Sequence, residues 1–280
     1  MAPTQQLDPE FSAVRLTRYT TRITDRLDVL MYLVEGQERA VLIDTGFGVG
    51  DLPGFVKGLS DKPLTVLLTH GHLDHAFGAA GFDDVRMSPL DAPVLRAHQA
   101  LSAEVLDAAR QEGRLTAAVP DPQAFEVLSD GQVFDLGGVH VRSLAVPGHT
   151  PGSTVFLVAE DRLLITGDAA NQRTFLFHEE ASSVRAYQES LARLRRDTAG
   201  LYDRVHVSHG SGDTSVDLLA DLDALCTRIR RGTDDAVPFE FMGVSGVLAR
   251  RVGGTTTSAG VDDNANIVYD PTRIERTRDA

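Results

Sequence analysis

Between Thr69 and His75 the chain reads "THGHLDH", which puts His70, His72, Asp74 and His75 within six positions. Imidazole nitrogen and carboxylate oxygen are the donors that hold divalent ions. A lone histidine is more often a packing residue. Four crowded groups of this type would repel one another when protonated, or need separate partners when buried. Three more candidates stand where a short apolar run gives way to a polar loop: His149 in "VPGHTPGST", Asp168 in "LLITGDAA" and His209 in "VHVSHG". Five histidines and two carboxylates suit two metal ions with room for a water. In an extended loop residues two apart point the same way, so His70 and His72 can share one ion. Asp74 and His75, just beyond, can turn toward a second. A closed structural zinc site would be rich in cysteine, and the chain has only Cys226.

Elements able to position these groups are visible along the chain. "DVLMYLVEG" and "RAVLIDTG" read as strands joined by a turn at "EGQER", and "GFGVGDLPGFVKGLS" as a Gly-rich loop entering a short helix. "LTVLLTH" is a continuous apolar run, the pattern of a strand buried on both faces, and it ends where the histidines begin. "SPLDAPVLRAHQALSAEVLDAARQEG" reads as a helix with Ser88 as N-cap and Pro89 at its first position. Its Leu90, Val94, Leu95, Leu101, Val105 and Leu106 must be buried somewhere, either on the core or over the site as a lid. Asp130-Gly131 and Gly137-Gly138 are hairpin signals, and "STVFLVAEDRLLITGD" is a hairpin turning at Glu160-Asp161. Two amphipathic helices follow. One carries Val184, Tyr187, Leu191 and Leu194 on its apolar face, the other Val216, Leu219, Leu222, Cys226 and Ile229, with Gly232 past its end. His98, His140 and His206 are expected on the surface or in packing.

The 280 residues with a formal net charge of -13 argue against a nucleic-acid partner or an anionic membrane, since both favour basic surfaces. The chain start lacks the features of a signal peptide, and no apolar run reaches the roughly 20 residues of a membrane span. The expectation is a cytoplasmic protein acting on a small molecule, with oligomerisation left open. We expect one metallo-hydrolase domain over residues 1–252 with a helical insertion at 88–123, then a polar C-terminal extension, 253–280, with one strand at Ile267–Tyr269.

"LIDTG", "THGHLDH", "GHTPGS", "TGD" and "SHG", in this order and spacing, closely resemble the metallo-β-lactamase superfamily from roughly Val29 to Gly210. The resemblance implies an α/β fold, a four-layer αββα sandwich. It implies that His70, His72 and His149 hold one ion, that Asp74, His75 and His209 hold the other, and that Asp168 bridges both. Zinc is the expected metal, with iron or manganese as alternatives. Ions roughly 3.5–4 Å apart would share a hydroxide. Asp74 would orient it as a catalytic residue, while the ions neutralise developing charge. Asp44 would hydrogen-bond a ligand histidine, Thr150 would shape the loop of His149, and His178 in "FLFHEE" is a possible substrate-pocket residue.

Differences among the family's branches narrow the chemistry. β-Lactamases of the resembling kind generally lack the bridging aspartate, and flavodiiron proteins carry glutamate where this chain has His72. Glyoxalase II is similar in its ligands, but its glutathione-binding residues have no match after His209. Acyl-homoserine lactonases place a tyrosine soon after the bridging aspartate, where this chain reads "AANQRTFLF". The expectation is a hydrolase of a small ester, thioester or lactone. The alternatives are a mononuclear iron persulfide dioxygenase, a β-lactam or phosphodiester hydrolase, and a non-catalytic binding protein.

Overall fold

The computed structural model describes residues 10–111, 118–241, 243–251 and 265–275. The chain divides into two compact units, Met1–Leu128 with Val133–Val141, and Ser129–Gln132 with Arg142–Ala280.

The first unit is built on a seven-stranded sheet whose spatial order follows the chain: β1 (Phe11–Arg15), β2 (Thr20–Asp25), β3 (Leu30–Glu35), β4 (Ala40–Ile43), β5 (Leu64–Leu67), β6 (Val85–Met87) and β7 (Glu126–Val127). Antiparallel pairing runs from β1 to β4, and parallel pairing from β4 to β7. The continuous apolar runs of β3 and β4 are buried on both faces, as such runs require. Helix α1 (Leu52–Leu59) is capped by Asp51, whose side chain accepts the Gly54 amide at 3.0 Å. Its Leu52, Phe55 and Val56, at helical spacing, enter one core with Leu42, Val66, Leu68 and Val85. The one-turn α2 (Leu73–Ala76) follows β5, and α3 (Ala92–Leu101) and α4 (Ala103–Gln111) follow β6.

After β8 (Val133–Asp135), which belongs to the first unit, the second unit carries a sheet with the order β14-β13-β11-β10-β9, from β9 (His140–Ala145), β10 (Thr154–Val158), β11 (Leu163–Gly167), β13 (Arg204–Val207) and β14 (Asp213–Thr214). A four-stranded sheet, β12-β17-β16-β15, joins β12 (Thr174–Leu176), β15 (Val237–Phe241), β16 (Val244–Leu248) and β17 (Ile267–Tyr269). Helices α5 (Val184–Asp197) and α6 (Leu218–Arg230) lay Tyr187, Leu191, Leu222, Cys226 and Ile229 into a core with Val155, Leu164 and Val205. Each unit thus sets helices against sheet, the α/β pairing that an αββα fold contains twice.

Several sequence expectations are corrected. Ser88 does not cap the α-helix. A 3-10 turn at Pro89–Asp91 intervenes and α3 begins at Ala92, because Pro93, with no amide hydrogen, belongs in a helix's first turn. The helix also breaks at Ser102 into α3 and α4. Asp130-Gly131 makes no hairpin: β7 pairs parallel with β6 and is not a neighbour of β8. Val216 lies outside α6 and is 45% exposed. The polar strands β1 and β2 have no apolar run to announce them, and only single residues such as Phe11 and Ile23 reach the core. Val94, Leu95 and Leu106 are buried while Leu90 is exposed. The side chains of Leu101 and Val105 lie outside the described set.

One stretch beyond residue 264 is firmly built in. β17 runs parallel to β12, and the buried Arg273 that follows donates to the carbonyls of Phe177, His178, Glu179 and Ala181 at 2.5–3.3 Å while pairing with Asp270 at 2.9 Å. A buried acceptor left unmet costs about 1–3 kcal/mol. Arg273→Met, which keeps the apolar stem, should therefore lower stability by about 2–4 kcal/mol, since water will reach part of the segment. Urea denaturation would show this as a lower midpoint at unchanged slope; a midpoint equal to the parent's would contradict it.

Candidate metal centre

Three parallel strands of the first unit, β4, β5 and β6, release their C-terminal loops at one sheet edge, where such folds carry their sites. Asp44 follows β4, and the segment Thr69–His75 follows β5. His70 and His72 bring ring nitrogens within 4.8 Å of each other, with ring centroids 4.6 Å apart at 73°. The helical turn of α2 then swings Asp74 and His75 back, so that the His75 ring lies 4.1 Å from that of His70. His75 Nε2 is 3.3 Å from the Asp74 carboxylate. The histidines are buried and Asp74 is half-buried.

Asp44 organises this loop. It is fully buried, with a left-handed φ of +63° that aspartate tolerates better than most residues. Its carboxylate accepts the Thr69 amide at 2.8 Å, the Thr69 hydroxyl at 2.8 Å and the His75 Nδ1–H at 2.9 Å. The Thr69 hydroxyl has one proton, and Asp44 takes it. The contact of that hydroxyl with His70 Nδ1 at 2.9 Å is therefore a bond donated by His70. Both rings are thus held as Nδ1–H tautomers, presenting Nε2 as the lone-pair nitrogen. Thr69 is a participant that the sequence reading left out. Burial works against charge on His75, but the Asp74 and Asp44 carboxylates outweigh it and hold its pKa well above the usual histidine range, so an ion bound there would displace the proton that Nε2 otherwise shares with Asp74.

In the second unit β11 and β13 run parallel, so Asp168 and His209 emerge at the same edge. Asp168 Oδ2 lies 3.3 Å from His209 Nε2 and 3.8 Å from His149 Nε2, while its Oδ1 accepts the Asn171 amide at 3.1 Å. His149 donates Nδ1–H to the Phe175 carbonyl at 2.8 Å, which again leaves Nε2 as the lone-pair nitrogen. Thr150 and Ser153 close the turn around His149 through a hydroxyl pair at 2.8 Å. His178 is half-buried, its ring centroid 4.3 Å from that of Phe177 and tilted by 33°. Its position is just beyond β12, the strand whose Phe175 carbonyl holds His149.

The donor set, imidazole Nε2 atoms and carboxylates without thiolate, fits a divalent ion of hard or borderline type. Cys226 is no candidate, being buried on α6 with its thiol pKa pushed up by that burial.

Tyr187, expected only on an apolar helix face, braces two ligand loops of the second unit. Its hydroxyl donates to the Ala169 carbonyl, beside Asp168, at 2.8 Å. A methyl group on Gly148, beside His149, would stand 2.3 Å from the Tyr187 ring. Burial keeps the phenol protonated, far above its usual range. Tyr187→Phe should cost about 1–3 kcal/mol through the unmet carbonyl and weaken metal retention. Calorimetric melting together with elemental analysis after dialysis would check this, and a variant matching the parent in both would refute the brace.

The sequence pattern of the metallo-beta-lactamase superfamily matches residues 24–225 of this chain. Acyl-coenzyme A thioesterase MBLAC2 of Gallus gallus is 27% identical over 197 residues, 64% of this chain and 71% of that protein. The probable metallo-hydrolase YqgX of Bacillus subtilis is 30% identical over 144 residues, 50% of this chain and 65% of that protein. Among solved structures, a metallo-beta-lactamase from Pontibacter korlensis superposes with a TM-score of 0.57 at 21% identity, covering 76% of this chain and 97% of that one. Among the described residues no helix is long and apolar enough to cross a membrane. By sequence pattern, fold and ligand chemistry alike, the chain belongs to the metallo-β-lactamase superfamily, as one of its hydrolases.

Proposed function

We propose that the chain is a dinuclear metal-dependent hydrolase that cleaves a small-molecule thioester. The observation that carries this reading is the donor set itself. His70, His75 and His149 are each fixed by a partner at Nδ1, at 2.9, 2.9 and 2.8 Å, so that Nε2 is the ligand atom. The assignment of His70, His72 and His149 to one ion, Asp74, His75 and His209 to the other, and Asp168 to both, rests on the family's motif order. Zinc is the metal in this reading, and the cytoplasm the compartment.

Bound ions would act as Lewis acids on the substrate carbonyl and lower the pKa of water. The protein supplies orientation and proton handling. Half-buried Asp74 can accept a proton from the attacking water and align it. Asn171 holds one oxygen of Asp168 and leaves the other turned toward His149 and His209.

The leaving group favours a thioester. An alcohol leaves as an alkoxide with basicity near that of hydroxide, water's pKa being about 15.7, and needs a proton donor. A thiol's pKa is about 8.5, so a thiolate leaves without one. No tyrosine stands in the "AANQRTFLF" stretch after Asp168, and Tyr187 is buried with its proton committed to Ala169. A relative named acyl-coenzyme A thioesterase agrees with this chemistry.

Zinc-loaded protein should release thiol from acyl thioesters with a kcat/KM at least tenfold above that for oxygen esters or lactones of the same acyl group. A preference for the oxygen compounds would reject the thioester assignment. One iron per chain with oxygen consumption would instead support the persulfide dioxygenase. Asp168→Ala should reduce metal content and lower kcat by more than the roughly 10–100-fold typical of residues that only support ligands. Retained metal and kcat would remove Asp168 from the centre.

A further inference from the structure

The loop after β6 reaches the same sheet edge as those carrying Asp44 and the histidines. It contains Asp91, which is fully buried and whose Oδ2 accepts the amide of Gly71 at 2.9 Å. Gly71 separates His70 from His72. A methyl group there would stand 2.6 Å from the Asp91 carbonyl oxygen and 3.2 Å from the Leu95 amide nitrogen, so the loop and the start of α3 touch at a point only glycine permits. Steps of four and three residues along a helix stay on one face. Asp91, Leu95 and His98 therefore line one side of α3. Leu95 is fully buried, and the His98 ring lies face to face with that of His72, centroids 4.3 Å apart and planes at 15°. His72 has extended backbone at the start of α2. Its ring meets His70 edge-on and His98 face-on, contacts that restrict rotation about different axes.

We propose that Asp91 and His98 are positioning residues of the metal centre, Asp91 setting the backbone between His70 and His72 and His98 setting the ring plane of His72. The inference rests on the metal-centre reading above. The helical segment after β6 is then scaffold for the ligand loop, and not only a lid or a packed insertion. A buried carboxylate is costly unless donors meet it, and the Gly71 amide is one such donor.

Full-length protein would be titrated with Co2+, followed by its visible absorption bands, and with Zn2+ against a competing chelator. His98→Ala and Asp91→Ala should weaken at least one ion by about 10–100-fold and shift or broaden the Co2+ bands. His98→Phe retains a flat ring without a ligand nitrogen, and Asp91→Asn retains an acceptor oxygen. Both should stay close to the parent in affinity and spectrum. Alanine variants indistinguishable from the parent would overturn the proposal. So would a His98→Phe variant as impaired as His98→Ala, since the ring nitrogen would then matter and not the stacking. If Asp91→Ala fails to fold, the His98 pair and Asp91→Asn decide the outcome. A parent chain that takes up neither Co2+ nor Zn2+ would instead defeat the metal-centre reading, and this proposal with it.

Discussion

The ligand loop of the first unit hangs on one buried carboxylate. Taking Asp44 out of water costs several kcal/mol, and three donors from Thr69 and His75 offset that cost. The offset works only when the chain turns sharply after β4 and the loop after β5 lies against it. Parallel pairing of the two strands brings that about. The same bonds choose the tautomers of His70 and His75, so the folding of a sheet edge and the chemistry of the imidazoles are one event. Thr45 extends the arrangement: its amide and hydroxyl both bond the His75 carbonyl at 2.8 Å, fixing the backbone of the residue whose ring Asp44 orients.

The second unit reaches the same end by different means. At His149 a backbone carbonyl on β12, and not a carboxylate, takes the Nδ1–H. That carbonyl is in place because β12 pairs with β17, and the segment after β17 is tied down by Arg273. A ligand histidine near the middle of the chain thus depends on residues more than a hundred positions later. Tyr187 adds a second long-range support by filling the space that Gly148 leaves and bonding beside Asp168. In both units the candidate ligands stand at or just beyond strand ends, and the groups that aim them come from neighbouring loops, strands and helices.

The reaction follows from what such an arrangement can and cannot do. It can present lone-pair nitrogens and carboxylates to cations and hold a proton acceptor at Asp74. The one tyrosine shown bracing the ligand loops is buried and already donates its proton. A substrate whose leaving group departs as a stable anion suits it, and thiolate is such a group. The family's fold hosts many reactions, so the proposal of a thioester rests on the leaving group and not on the fold.

Sequence alone was enough to single out the candidate ligand types and their order, because metal binding demands particular side chains at short spacings. It also revealed the apolar strands β3, β4, β5, β10 and β11, whose burial leaves a continuous hydrophobic run, and the helices α5 and α6, whose faces repeat at helical spacing. It did not reveal β1, β2 or the β15–β16 pair, which are short and mix polar, glycine or proline residues among their apolar ones. Nor did it reveal the supports. Asp91, His98, Tyr187 and the Phe175 carbonyl carry no motif, and each acts on a residue that only the fold brings near; Thr69 stands inside the histidine motif, but its bond to Asp44 also needs the fold. A ligand can be recognised from its own chemistry, but a residue that orients a ligand is defined by distance, and distance across the chain exists only once the sheets and helices have packed.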